Sequence, residues 1–354
     1  LSASRNRRLA LGAAAGLALL ALSLRGVDRH GLAEAFRSAD PVLLAGVAFA
    51  TVLTYLARSW RWGHLLAPVV RVRFAHLFSA TAVGFMAGLA IPRAGEVVRP
   101  YLIARRHAIS TAAGFASIIL ERLVDLITVV LLFAAYLYLL PTPAAQVRGP
   151  LLGLLQAGGA LAALGAVAVL GLLLLLHHRA EQALALVEWM LRPLPARIAR
   201  AIAGAVRAFA GGLAVLRASP RHLAVIAAQS LLVWMTIALG LHWNNRAFGL
   251  DLPFHATFLL LGFLTVGVAV PTPGMVGGFH EAYLLALTQA FGVDRHTAAA
   301  AGIAAHAFTN VPVLLLGLVC LGREGLSLGK VASMSDEQPP ARGGEAMSSA
   351  AEAR

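Results

Sequence analysis

What most restricts the fold of this chain is a recurrence of apolar runs long enough to cross a lipid bilayer. They fall at roughly 8–24, 40–57, 74–91, 96–104, 111–140, 150–176, 222–241, 254–270, 279–291 and 297–321. A hydrocarbon core about 30 Å thick takes roughly 17–25 apolar residues as helix, and most of the runs meet that length. Lipid offers the backbone no hydrogen-bond partner, so each run has to satisfy its own peptide groups as a helix. Composition agrees, with 59% hydrophobic and 13% charged residues, against about 45–50% and about 25% in a soluble domain. The expectation is an all-α polytopic membrane protein.

The N-terminal "RNRRLALGAAAGLALLALSLRG" has the basic start of a signal peptide. Its apolar stretch is long, though, and no clear small-residue cleavage site follows, so it reads as a first transmembrane helix. Cys320 is the only cysteine, which excludes a disulfide scaffold. The net charge of +13 is spread between hydrophobic runs and forms no basic domain. That pattern points to anionic headgroups and the positive-inside bias, not to nucleic acid.

Charge placement orients the runs. With the N-terminus inside, and with the short runs 96–104 and 279–291 each turning back along the run before it, 20 of the 29 basic residues fall in cytoplasmic stretches. Those stretches include Arg58, Arg61, Arg105 and Arg106. Run 96–104 would be about 14 Å long as helix, half a bilayer. The architecture expected is therefore six full transmembrane helices plus two re-entrant helical hairpins, with both termini cytoplasmic in a cytoplasmic (inner) membrane. Residues 1–329 form the membrane domain. Within it, 178–221 reads as an amphipathic connector lying on the cytoplasmic surface. Residues 330–354 lack hydrophobic periodicity and read as a disordered tail.

Two windows of the chain repeat one plan. From Leu77, an apolar run breaks at "PRAGE", resumes briefly, and leads into a long helix bearing Glu121, Arg122 and Asp125. From Phe258, another breaks at "PTPGMVGG", resumes at Glu281, and leads into a helix bearing His306, Thr309 and Asn310. With the first hairpin entering from the cytoplasm and the second from outside, the two units form an inverted repeat. In transporters so built, Pro/Gly-interrupted segments mark a binding site near the midplane. The breaks are Pro92 and Gly95 in one copy, and Pro271, Pro273, Gly274, Gly277 and Gly278 in the other.

Energetics narrow the roles of the charged residues. Arg93, Glu96, Arg99, Glu121, Arg122, Asp125 and Glu281 would each cost roughly 2.5–3.5 kcal/mol at a helix centre, about 20 kcal/mol together. They have to pair or to line a wet cavity. Glu121 and Asp125 share a helix face at i,i+4, and Arg122 lies three residues before Asp125. A half-helix starting near Glu96 presents its positive end to the membrane interior. Ion pairing that merely holds broken helices together is the plain alternative for any one of these charges. Gly84 and Gly88 form a GxxxG that reads as packing. His280–Glu281 begins like a zinc-protease helix, but Leu284 stands where a second histidine is required, so no metal and no cofactor are expected.

"PRAGEVVR" (92–99), "ERLVD" (121–125) and "PTPGMVGGFHEA" (271–282), in this order, resemble the flippase-like transmembrane domain of lysylphosphatidylglycerol synthases. In the fused enzymes such a domain moves aminoacylated phosphatidylglycerol across the bilayer, while a separate soluble domain performs the synthesis. About 32 residues follow the last apolar run, so synthase activity is not expected here. The resemblance carries over to Pro92, Arg93, Gly95, Glu96 and Arg99, to Glu121, Arg122 and Asp125, and to Pro273, Gly274, Gly277 and Glu281. Met275 departs from it where the family usually has a second glycine, which implies a stiffer hairpin. His306 and Asn310 stand where many relatives carry an arginine. The implied function is translocation of an anionic or polyprenyl-phosphate-type lipid, with Arg93, Arg99 and Arg122 attracting phosphate. Glu96, Glu121, Asp125 and Glu281 would hold the arginines or bind a proton. The expected partners are membrane lipids, with a homo-oligomer or a lipid-synthesis enzyme also open. A lipid-modifying transferase and a non-transporting partner subunit remain as alternatives.

Overall fold

The computed structural model describes residues 14–139 except 23, 108 and 110, residues 219–325 except 270 and 271, and isolated positions between 157 and 189. Most of run 150–176, nearly all of the connector 178–221, the tail 330–354 and Pro271 lie outside the described residues. The helices are α1 (Arg29–Ser38), α2 (Pro41–Leu66), α3 (Phe74–Ala90), α4 (Ala94–His107), α5 (Thr111–Tyr138), α6 (Pro220–Ala247), α7 (Ala256–Gly267), α8 (Gly278–Leu285) and α9 (Arg295–Arg323). A helical stretch at 14–22 precedes α1, and among the described residues there is no strand.

Local chemistry sets the starts. Asp40 accepts from the N–H groups of Val42 and Leu43 at the head of α2, with Pro41 in the first turn. Ser219 and Pro220 do the same for α6, and Asp28 and Asp294 cap α1 and α9. A side-chain oxygen satisfies an otherwise unpaired N–H there, and proline lacks only an N–H that has no helical partner anyway. Among the described residues α2, α6 and α9 are long and apolar enough to cross a membrane. α5 has 28 residues but carries Glu121, Arg122 and Asp125 in its middle. The two shorter apolar helices are α3 and α7.

Those two are the first limbs of helical hairpins. α3 breaks at Ile91–Arg93 and the chain returns as α4. Gly84 abuts Gly95 and Arg99, Gly88 lies beside Gly95, and at the far end His76 meets His107 at 3.3 Å. The limbs are therefore antiparallel. α4 has 14 residues, longer than the expected 96–104, because Arg105, Arg106 and His107 continue the same helix. At about 21 Å it is still short of a bilayer core. α7 is followed by a break, a 3-10 turn at Pro273–Met275, and α8, with Gly267 backed against Gly278 and Ala282. A π-helical turn at Ala286–Ala290 ends the second limb.

The two units clasp each other. α3 packs on α9, where Gly317 admits Met86, and α7 packs on α5, where Gly262 admits Phe133. α2 and α6 form an antiparallel seam with Gly46 against Trp243, Gly240 against Ala50, and a 2.9 Å hydrogen bond from Thr54 to Thr236.

The hairpin contact yields a prediction. A methyl at Gly95 would lie 2.5 Å from the Gly84 carbonyl oxygen, whereas one at Gly88 would meet nothing nearer than 3.8 Å. Gly95→Ala is expected to destabilise the protein by about 1–3 kcal/mol through overpacking. Gly88→Ala is expected to be neutral or mildly stabilising, since alanine favours helix by roughly 1 kcal/mol. Unfolding in detergent checks both.

Candidate functional site

The site is built around two acids on α5. Glu121 and Asp125, one turn apart, face α2, whose Arg58 and Arg61 project from adjoining turns. Arg61 donates to Asp125 at 2.7 Å and Arg58 at 3.1 Å. Arg99, from α4, grips both oxygens of Glu121 at 3.0 and 2.9 Å. Arg122 donates to Glu121 at 2.8 Å and lies 3.7 Å from Asp125. α6 closes the cluster, as Ser230 accepts from Arg61 at 3.0 Å and Trp234 donates to Asp125 at 3.2 Å.

All of this except Arg122 and the partly exposed Trp234 is buried: Glu121 and Arg61 are 0% exposed and Arg99 2%. The Arg99 guanidinium also stacks over Trp62 at 4.4 Å, and the Trp62 indole is fixed by Ser117. Bidentate and stacked contacts of this kind suit a guanidinium and not an ammonium. Four guanidiniums surround two carboxylates, so the cluster carries a surplus of two positive charges. Arg122, with its side chain 41% exposed, carries that surplus to the surface of a cavity.

The cavity has a volume of about 380 Å³ and lies between the tips of the two hairpins. One wall holds Pro92, Arg93, Gly95, Glu96 and Arg99 from the first tip, with Arg122 behind them. The facing wall is formed by Val268, Ala269, Thr272 and Met275 of the second break, and by Thr309 and Asn310 of α9. Arg93 and Glu96 are exposed into this space. Glu96 sits in the first turn of α4, where a carboxylate complements the helix dipole, and it attracts Arg122 across the cavity edge.

Both tips are bent in the same unusual way. Arg93 has φ 64° and Met275 φ 58°, each a non-glycine residue in the left-handed region. Such a residue costs about 1–2 kcal/mol. At Met275 a glycine would avoid that cost, so the methionine strains the tip. The second tip is held from outside the cavity. His306 donates from Nε2 to the Gly274 carbonyl at 2.7 Å, and its ring lies 4.6 Å from that of His280. Asn244 donates to the Tyr283 hydroxyl at 2.9 Å, and that hydroxyl donates to Asn245 at 2.7 Å, pinning α8 to α6.

The residues singled out in the sequence thus divide. Arg93, Glu96, Arg99, Arg122 and Asn310 line the cavity, as do the break residues Pro92 and Gly95. Glu121 and Asp125 stand behind its wall and hold the arginines. Arg99 belongs to that ion-pair structure as much as to the cavity. Glu281 and His306 are not among the lining residues. Glu281 is partly buried, with Oε2 making no hydrogen bond to the protein. Pro273, Gly274, Gly277 and Gly278 shape the second tip without entering the charged cluster. One placement is corrected outright. Arg58 and Arg61, expected in the stretch that follows the apolar run, are 7% and 0% exposed and lie inside α2. The apolar run 40–57 stops short of Arg58, whereas the helix continues for about two and a half further turns to Leu66, around the paired arginines. Tyr55 and Phe85 were also missed, since an aromatic in an apolar run gives no signal of its own. Phe85 receives Arg58, Arg99 and Arg122 at 5.5, 5.3 and 6.0 Å from its ring centre. Among the described residues no group of three or more metal-ligating side chains comes together.

The family described as the lysylphosphatidylglycerol synthase TM region matches residues 9–317. The chain belongs to that family. It is also similar to a protein named glycosyltransferase AglD from Haloferax volcanii, at 24% identity over 94% of this chain and 57% of the relative. It therefore spans little more than half the length of that relative. Family membership and the apolar helices place the protein in a membrane.

The geometry separates two glutamates by consequence. Glu121→Gln removes a buried carboxylate from several guanidiniums and is expected to destabilise by about 3–5 kcal/mol. Glu96→Gln, at an exposed position, is expected to stay within about 0.5 kcal/mol. Denaturant or thermal unfolding of the purified variants reads both.

Proposed function

We propose that this protein translocates an anionic lipid, a phospholipid or a polyprenyl-phosphate-linked lipid, across the cytoplasmic membrane. The headgroup enters the cavity between the hairpin tips while most of the hydrocarbon stays in the bilayer. The observation that carries this reading is the surplus of two positive charges in the cluster that forms and backs the wall of that cavity. In a low-dielectric setting such a surplus attracts an anion more strongly than in water. Arg122 and Arg93 meet the phosphate, and Glu96 balances Arg122 when the site is empty. Because the cavity is formed by both units, rocking one against the other opens it to alternate sides. The reading completes the topology with six crossings, both hairpins re-entrant and both termini cytoplasmic, and leaves room for a homo-oligomer or a lipid-synthesis partner.

The name of the relative supports a second reading, a transferase acting on a lipid carrier. The two differ in outcome, since translocation redistributes a lipid and transfer changes it chemically.

Liposomes containing the protein and headgroup-labelled phosphatidylglycerol test this. Arg122→Gln is expected to slow leaflet exchange at least tenfold. Arg105→Gln, at the exposed far end of α4, is expected to leave it unchanged. Equal rates for the native protein and Arg122→Gln would overturn the cavity as the path. Chemical conversion of the label would move the assignment to a transferase.

A further inference from the structure

Beyond the Phe85 ring the charged cavity is continued by a second space of a different kind. This chamber, of about 160 Å³, shares Tyr55, Phe85 and Thr309 with the cavity and has Arg58 at its border. Its remaining walls are mainly apolar, including Val47, Leu241, Leu264, Phe279 and Ala305. The three threonines on its α2 and α6 sides have turned their hydroxyls away. Thr51 donates to the Val47 carbonyl at 3.0 Å, Thr54 to the Ala50 carbonyl at 2.9 Å, and Thr236 to the Val233 carbonyl at 2.8 Å. The one Thr54 hydroxyl proton is shared with the Thr236 hydroxyl, which also lies at 2.9 Å. A space so lined has little to offer water. An apolar cavity of roughly 150 Å³ stays dry and accepts a six-carbon ring. Left empty, such a chamber is a packing defect that costs stability in proportion to its volume.

We infer that the chamber takes the head-proximal carbons of one hydrocarbon chain of the lipid whose anionic headgroup occupies the charged cavity. This inference rests on the translocation reading and adds to it where the ligand's tail begins. The site has two compartments in series, cationic and then apolar, in the order in which an anionic lipid presents phosphate and chain. Phe85 divides them, with the Arg99 and Arg122 guanidiniums 5.3 and 6.0 Å from its ring centre on the cavity side, and with Arg58 and the T-shaped contact to Tyr55, 4.9 Å between centres, beside the chamber. The volume fits about six carbons of a single chain. A water-soluble anion would fill only the first compartment, so the protein selects an amphiphile over its free headgroup.

Photolabelling of the native protein in vesicles tests this directly. The probes are phosphatidylglycerol with a diazirine on the first carbons of one acyl chain, and a farnesyl phosphate with a diazirine on its first isoprene unit. Labelling by either probe is expected on the α2 segment holding Thr51 and Thr54 and on the α9 segment holding Ala305 and Thr309. Ala305→Phe, which fills the chamber, is expected to cut that labelling at least fivefold. Should this variant not fold, the labelling pattern of the native protein decides alone. Labels confined to lipid-facing positions such as Phe49, Trp60 and Val311, or no labels, would overturn the chamber. Leaflet exchange measured in the same vesicles separates the two ideas. Exchange without chamber labels overturns the chamber and leaves translocation standing. Chamber labels without exchange keep the lipid site and overturn translocation.

Discussion

Two carboxylates enclosed by four guanidiniums, out of water in a helical membrane protein, set the terms for everything around them. Neither Glu121 nor Asp125 can be buried alone, because an unpaired charge in this setting is costly. Arg58 and Arg61 therefore draw α2 to α5, Arg99 draws the returning limb of the first hairpin to α5, and Ser230 and Trp234 bring in α6. The cluster is a four-helix joint as well as an electrostatic source. Its excess positive charge faces the cavity through Arg122, with Glu96 the one carboxylate in the wall beside it.

The two hairpins differ in how they are held. The first tip is anchored by charge-assisted hydrogen bonds, roughly 1.5–3 kcal/mol each. At corresponding places the second unit uses the neutral His306–Gly274 contact and the Asn244–Tyr283–Asn245 chain, typically about 0.5–1.5 kcal/mol per bond. If one hairpin moves while the other stays, the physics favours motion of the second. The strained backbone at Met275 lies at its tip, beside the cavity.

Much of this was legible in the sequence. The apolar runs announce the long helices, and the Pro92–Gly95 and Pro273–Gly278 breaks announce the tips. The spacing of Glu121, Arg122 and Asp125 announced a shared charged face. Arg58 and Arg61 were misread because a sequence shows where an apolar run becomes charged but not whether the charge is paired by a distant helix. Glu281 was grouped with the arginines because its place in the repeat matches Glu96, yet in three dimensions it is apart from them. The chamber beyond Phe85 left no sequence trace, since threonines bonded to their own helix and an alanine facing a void read the same as ordinary packing.

The account turns on the claim that a positively charged cavity chooses its lipid by headgroup charge. The measurement that meets this claim most directly is the leaflet exchange of phosphatidylglycerol against phosphatidylcholine, matched in acyl chains and in the same protein-containing vesicles. The account predicts that the anionic lipid exchanges at least tenfold faster, and that salt narrows the gap only partly because the cluster is buried and weakly screened. Equal rates for the two lipids would contradict it, and the arginine cluster would then be a structural joint alone.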